Sequence, residues 1–148
     1  GKSDINEDSY DTLEFADRSI IEIVIPSFIK HINSCAFQNC EYLERVTFLE
    51  DSKLESIGSG AFSSTSIHQI TIPTHVKKIC EYTFNNCEFL KLIQFTKDSE
   101  LCEIDLFVTI TWWTTIICRN LWKHEIKQLW HVQWEKFYID NQAETSEK

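Results

Sequence analysis

Residues 20–48, IIEIVIPSFIKHINSCAFQNCEYLERVTF, and residues 67–95, IHQITIPTHVKKICEYTFNNCEFLKLIQF, decide how this chain folds. The second stretch repeats the first after 47 residues. Almost every apolar position between about Ser9 and Phe107 is matched at this interval. Self-similarity with a period of this length indicates a solenoid of stacked coils.

Each 47-residue unit divides into two coils, because an apolar-x-x-apolar-x-apolar pattern begins at Ile20, Leu43, Ile67 and Leu90, at intervals of 23, 24 and 23 residues. A second column of inward residues lies between these patterns: Phe15, Phe37, Phe62 and Phe84. The spacing predicts one short strand per coil, followed by a return segment that carries an inward Phe. No coil buries its apolar face alone, so stability should come from neighbouring coils stacked about 4.8 Å apart in a parallel sheet.

Three dipeptides fall at fixed offsets in the two stretches: Ile-Pro after the first strand, Ala-Phe in the return (Thr-Phe at Thr83), and Asn-Cys at Cys40 and Cys87. Because of these dipeptides, the chain resembles the BspA-like, or Treponema-type, leucine-rich repeat over about residues 9–107. Residues 63–66 depart from the family's Asn-Cys turn. The resemblance implies a surface-exposed or secreted ligand-binding protein of bacteria or parasitic protists that adheres to host matrix proteins such as fibronectin.

The expected fold is an α/β leucine-rich-repeat solenoid with a short-stranded parallel sheet, about four coils and a C-terminal amphipathic helix. We divide the chain into an N-terminal polar segment (1–8), the solenoid (9–107), a Trp-rich C-terminal cap (108–141) and a polar tail (142–148). The repeat is expected to stop after Ile104, because Thr109 and Thr114 stand where a fifth coil would place a Phe and an apolar residue.

The Trp-rich region carries all five tryptophans, and the spacing of its apolar residues from Asn120 to Tyr138 predicts one face of a helix. The helix is interpreted as a cap over the open end of the solenoid core. Two alternatives stay open: an aromatic helix that contacts a membrane or a partner, and a region that does not fold well in this chain.

Composition narrows the classes of partner. A formal net charge of -9 would repel a phosphate backbone, so nucleic acid and anionic membranes are disfavoured. The longest apolar run, residues 106–118, is too short to cross a bilayer of about 30 Å as a helix. Because the chain begins with Gly1 and contains no methionine, we expect a fragment or a processed chain.

The six cysteines do not predict a disulfide framework. Cys40 and Cys87 occupy the same column two coils apart, about 10 Å, which exceeds the roughly 7 Å reach of a disulfide. We expect them to be small buried thiols that donate to loop carbonyls. The pairing state of the other four is open: Cys35, Cys80, Cys102 and Cys118. No spacing predicts a metal site, a cofactor or a catalytic group, and the chain is interpreted as a non-enzyme.

Strand alternation predicts which residues face outward from the sheet. The candidate ligand-binding residues on this face are Glu44, Arg45, Thr47, His68, Gln69, Thr71, Lys91 and Gln94. Mixed charge with Thr, Gln and Arg suits protein contact, although a simply solvated face is an equal interpretation. The sequence thus favours a protein-binding module. The alternative is a structural spacer that self-associates through open solenoid ends within a longer array.

Overall fold

The computed structural model describes residues 9–10, 18–104, 114–117 and 137–138. Within these ranges the chain forms short strands joined by turns, and every strand pairing is parallel. The strands are β1 (Ser9–Tyr10), β2 (Glu22–Ile25), β3 (His31–Ile32), β4 (Arg45–Phe48), β5 (Ser56–Ile57), β6 (Gln69–Ile72), β7 (Lys78–Ile79), β8 (Leu92–Phe95), β9 (Glu103–Ile104), β10 (Thr115–Ile117) and β11 (Phe137–Tyr138).

The strands lie on two faces of the solenoid. The main face carries a two-stranded sheet, β2-β4, and a four-stranded sheet, β6-β8-β10-β11. Its strands have four residues, except β10 with three and β11 with two. The return face carries two-residue strands in one continuous sheet, β1-β3-β5-β7-β9. The residue spacing predicts the parallel main sheet, which is confirmed, but it does not predict the sheet on the return side.

The core lies between the two faces and is built from the predicted inward columns. Phe37, Phe62 and Phe84 are almost fully buried and stack with nearly parallel rings, at centroid separations of 5.3 Å and 6.0 Å. Apolar strand residues alternate with exposed polar ones, as in β6, where Ile70 and Ile72 are buried. Alternation with a period of two is what places one side of each strand in the core.

Two backbone positions in each return adopt a left-handed conformation, which lets the chain turn tightly. The first recurs at Cys35, Gly60 and Tyr82, with φ between 57° and 64°. The second recurs two residues after the core Phe, at Asn39, Ser64 and Asn86. Asparagine tolerates this conformation better than most residues, which explains the repeated Asn before Cys.

The longer turns that follow β4 and β8 are stabilised by a buried serine. In each turn the serine hydroxyl oxygen accepts a hydrogen bond from the amide two residues later, at 3.3 Å for both Ser52 to Leu54 and Ser99 to Leu101. The Asp-Ser sequence shared by the two 47-residue units therefore has a local structural cause.

The expectation that the repeat stops after Ile104 is wrong. β10 pairs with β8 in the repeat register, with Ile116 opposite Ile93. Thr114 is buried, and its hydroxyl donates a 2.7 Å hydrogen bond to the Leu90 carbonyl. A satisfied hydroxyl is tolerated in the core, so the threonine that suggested the end of the repeat does not interrupt it.

The expected α/β class is only partly confirmed, because the described residues form strands and turns but no helix. Accordingly, no helix in the described part of the chain could span a bilayer. Of the predicted helix from Asn120 to Tyr138, only Phe137 and Tyr138 are described, and they form β11, so the prediction is wrong at these two positions. Residues 120–136 lie outside the described ranges. The described strands make about three turns, and the total of four coils stays a prediction.

Candidate functional site: a cleft in the main sheet

The predicted outward residues lie on the main face of the solenoid. Seven of the eight are exposed, and Glu44 is half-buried. The strand register brings outward residues into columns across neighbouring coils, so that Gln69 is opposite Leu92 and Thr71 is opposite Gln94. The geometry of the face therefore follows the sequence prediction, while the ligand-binding role of these residues stays a prediction.

A seam between β4 and β6 interrupts the main face. These strands occupy successive coils but are not paired, whereas β2 pairs with β4 and β6 pairs with β8 over all four residues. The coils do touch on either side of the seam. The Ser66 amide donates to the Leu43 carbonyl at 3.0 Å, and the Lys77 amide donates to the Glu55 carbonyl at 2.8 Å.

Between β2 and β10, the seam coincides with the one interval between successive main-face strands that is not 23 residues. Starting positions are 23 residues apart from β2 to β4, from β6 to β8 and from β8 to β10, but 24 apart from β4 to β6. This coil also lacks the Asn-Cys-Glu-aromatic turn of its neighbours, which residues 63–66 replace. The interval alone does not explain the missing ladder, because return-face strands pair across intervals of 25 and 22 residues, His31 with Ser56 and Ser56 with Lys78.

The seam opens into a cleft of about 680 Å³. Six of the eight predicted residues line it: Glu44, Arg45, Thr47, His68, Gln69 and Thr71. The other two, Lys91 and Gln94, lie outside it. Sequence reasoning missed the remaining lining residues, which are Val46, Phe48, Leu49, Glu50, Pro73, Thr74 and Thr96. The signal that could have located the cleft is the 24-residue interval.

The cleft has access to apolar side chains that are sealed elsewhere. Phe48 is half-buried, although its counterparts Ile25, Ile72 and Phe95 are at most 3% exposed. Leu49, the next residue, is 43% exposed. An apolar interior with a polar rim is the usual composition of a binding pocket, and volumes of about 300–1,000 Å³ are typical.

The charged groups at the cleft are predominantly acidic. The Arg45 guanidinium donates to one Glu22 carboxylate oxygen at 2.8 Å and 3.0 Å and lies 4.0 Å from Glu44. Glu50 lines the cleft and forms no ion pair with any described residue. Since Arg45 is already engaged by carboxylates, the excess negative charge faces whatever enters the cleft.

The His68 ring packs against Phe89, with centroids 5.9 Å apart.

The cysteines in the described ranges form no disulfide with one another, and Cys40 and Cys87 are buried, as the repeat predicts. The Cys87 thiol donates to the Phe62 carbonyl at 3.0 Å, and burial raises its pKa. Thr65 occupies the same column one coil earlier and donates to the same carbonyl at 2.9 Å. These groups stabilise the return turns, and the described residues bring no group of three metal-ligating side chains together. Cys118 lies outside the described ranges.

The chain is similar to three solved structures. It is 29% identical to the pneumococcal vaccine antigen PcpA, with a TM-score of 0.55, over 57% of this chain and 21% of PcpA. A leucine-rich cell surface protein from Faecalibacterium prausnitzii A2-165 is 30% identical, with a TM-score of 0.49, over 53% of this chain and 20% of that one. A leucine-rich-repeat protein from Bacteroides ovatus ATCC 8483 is 22% identical, with a TM-score of 0.36, over 67% and 37%.

The chain spans about a fifth of the length of PcpA and of the Faecalibacterium protein. None of the curated proteins matches it. A family model for the BspA-type leucine-rich-repeat region matches residues 10–124 with six copies, beyond the predicted end of the repeat. By its repeat, its stacked parallel strands and this match, the chain belongs to the BspA-type leucine-rich-repeat family.

Proposed function

We propose that this domain is a non-catalytic protein-binding module that holds its partner at the cleft between β4 and β6. The proposal rests on one observation: six of the predicted outward residues line the cleft, which also exposes the apolar side chains of Phe48 and Leu49. The rim residues lie on or beside β4 and β6, each of which is paired along its other edge, with β2 and β8 respectively. Family membership and the similarity to a vaccine antigen support a position at the cell surface or in the secreted fraction.

The test is binding of the purified monomer to immobilised fibronectin, to a panel of other matrix proteins and to a displayed library of random 12-residue peptides. The site variant is Gln69→Ala with Thr71→Ala, on the cleft. The matched control is Lys91→Ala with Gln94→Ala, on the same face but outside the cleft. All four positions are exposed, so both variants should fold.

Saturable binding that weakens at least tenfold in the site variant and less than twofold in the control supports the module. Equal losses in the two variants would place the contact elsewhere on the face. A folded monomer that binds no matrix protein and selects no peptide would contradict the proposal.

A second function, self-association within a longer array, is favoured by the N-terminal side of the solenoid. Ile20 and Ile23 on this side are half-buried, whereas their counterparts in later coils are at most 8% exposed. Ile21 and Val24 are more than half exposed. No described strand pairs with the outer edge of β2. Concentration-dependent association in sedimentation velocity that is lost with Val24→Lys would support the spacer, and a monomer at all concentrations would exclude it.

A further inference from the structure

The seam leaves two strand edges facing each other without a ladder between them. β4 uses one edge to pair with β2, and β6 uses one edge to pair with β8. The amides and carbonyls on their other edges point toward the seam. Buried or half-buried backbone groups need hydrogen-bond partners, and another extended backbone supplies donors and acceptors at the matching spacing.

Resting on the proposed function, we infer that the partner enters the seam as an extended, basic peptide segment that pairs with the open edges of β4 and β6. Such strand addition draws its affinity from main-chain hydrogen bonds and its specificity from alternate side chains. Apolar side chains of the segment contact Phe48, Leu49 and Pro73 inside the cleft.

Charge complementarity selects a basic segment. Glu44 directly precedes β4, and Glu50 lies in the turn that follows it, so a carboxylate lies near each end of this strand. Arg45, the cation on this rim, is occupied by Glu22. A segment with Lys or Arg at positions 1 and 7 therefore meets a carboxylate at each end, in either chain direction.

Insertion of a strand requires the seam to widen. An inserted strand needs about 9.6 Å between its neighbours, twice the usual strand spacing of about 4.8 Å. The return-face sheet runs without interruption through β3, β5 and β7, and so connects the coils on both sides of the seam. Insertion of the segment therefore requires the two main-face sheets to move apart and the hydrogen bond from the Ser66 amide to the Leu43 carbonyl to break, while the return-face sheet keeps the coils joined.

The test uses a fluorescein-labelled peptide, Lys-Val-Thr-Val-Thr-Val-Lys, and fluorescence anisotropy with the whole chain. One control peptide has Glu in place of both Lys. A second has N-methyl groups on alternate residues, which removes the donors on one edge but keeps every side chain. The protein variants are Thr71→Trp, which fills the cleft, and Gln94→Trp, its register neighbour outside it.

We expect saturable binding of the lysine peptide, at least tenfold weaker binding of the glutamate and N-methylated peptides, and at least tenfold weaker binding to Thr71→Trp. The Gln94→Trp variant should bind within twofold of the parent. Absent binding of the lysine peptide, or equal binding of its N-methylated form, overturns the inference whether or not the tryptophan variants fold. If the display library still selects peptides that lose affinity with Gln69→Ala and Thr71→Ala, the binding module stands and only its mode of recognition is wrong.

Discussion

Replacing Phe62 by Ala removes the central ring of the core stack. Phe62 is fully buried and lies between Phe37 and Phe84, at centroid separations of 5.3 Å and 6.0 Å. Large-to-small changes of a buried Phe lower the free energy of unfolding by about 3–5 kcal/mol, through lost transfer energy and a residual cavity. Two ring pairs at about 0.5–1.5 kcal/mol each account for about 1–3 kcal/mol of this loss.

The assay is urea unfolding at 25 °C, followed by far-UV circular dichroism. Phe62→Leu should lose the ring pairs but keep most of the volume, for a loss of about 1–3 kcal/mol. Phe28→Ala is the control, because Phe28 is 53% exposed and should cost less than about 1 kcal/mol. A loss below about 1.5 kcal/mol for Phe62→Ala, with an unchanged denaturant slope, would refute the idea that the Phe column stabilises the stack.

Three further predictions concern single positions. Gly58→Ala should destabilise the fold by about 1–3 kcal/mol, because a Cβ at Gly58 would lie 2.5 Å from a backbone nitrogen. Gly60→Ala should cost less, because alanine there is strained only by the φ of +64°. Equal urea midpoints for the two variants would disprove this ranking. Burial raises the pKa of Cys87, so the unfolded chain ionises first as pH rises through the ordinary thiol range. The free energy of unfolding should therefore fall there, and iodoacetamide should modify exposed Cys35 well before Cys87; simultaneous labelling of both in the native state would argue against the buried thiol. Arg45→Ala breaks a solvent-exposed ion pair and should change the free energy of unfolding by less than about 1 kcal/mol, which differential scanning fluorimetry would show as a shift of only a few degrees.

Much of the fold could be predicted because its signals are local. The inward strand residues, the Phe column and the buried Cys40 and Cys87 all follow from residue spacing within one coil and its recurrence in the next. The same alternation located the outward residues, six of which line the cleft.

Two local patterns predict the wrong structure near the C-terminal end of the described strands. Thr114 suggested the end of the repeat because an apolar side chain was expected, but its hydroxyl is satisfied by the Leu90 carbonyl and the sheet continues. The apolar spacing before Tyr138 matched a helix, yet Phe137 and Tyr138 pair with β10. Short apolar runs fit either period, and partner strands distant in sequence decide between them.

The repeat and the inward and outward columns can be predicted from the residues alone, because side-chain alternation and stacking period are properties of a single coil. Three features depend on the packed stack: β4 and β6 are unpaired, the returns form a second sheet, and the main face opens into a cleft. Strand pairing depends on where two coils of unequal length place their backbones relative to one another, and that position results from the packing of the whole stack.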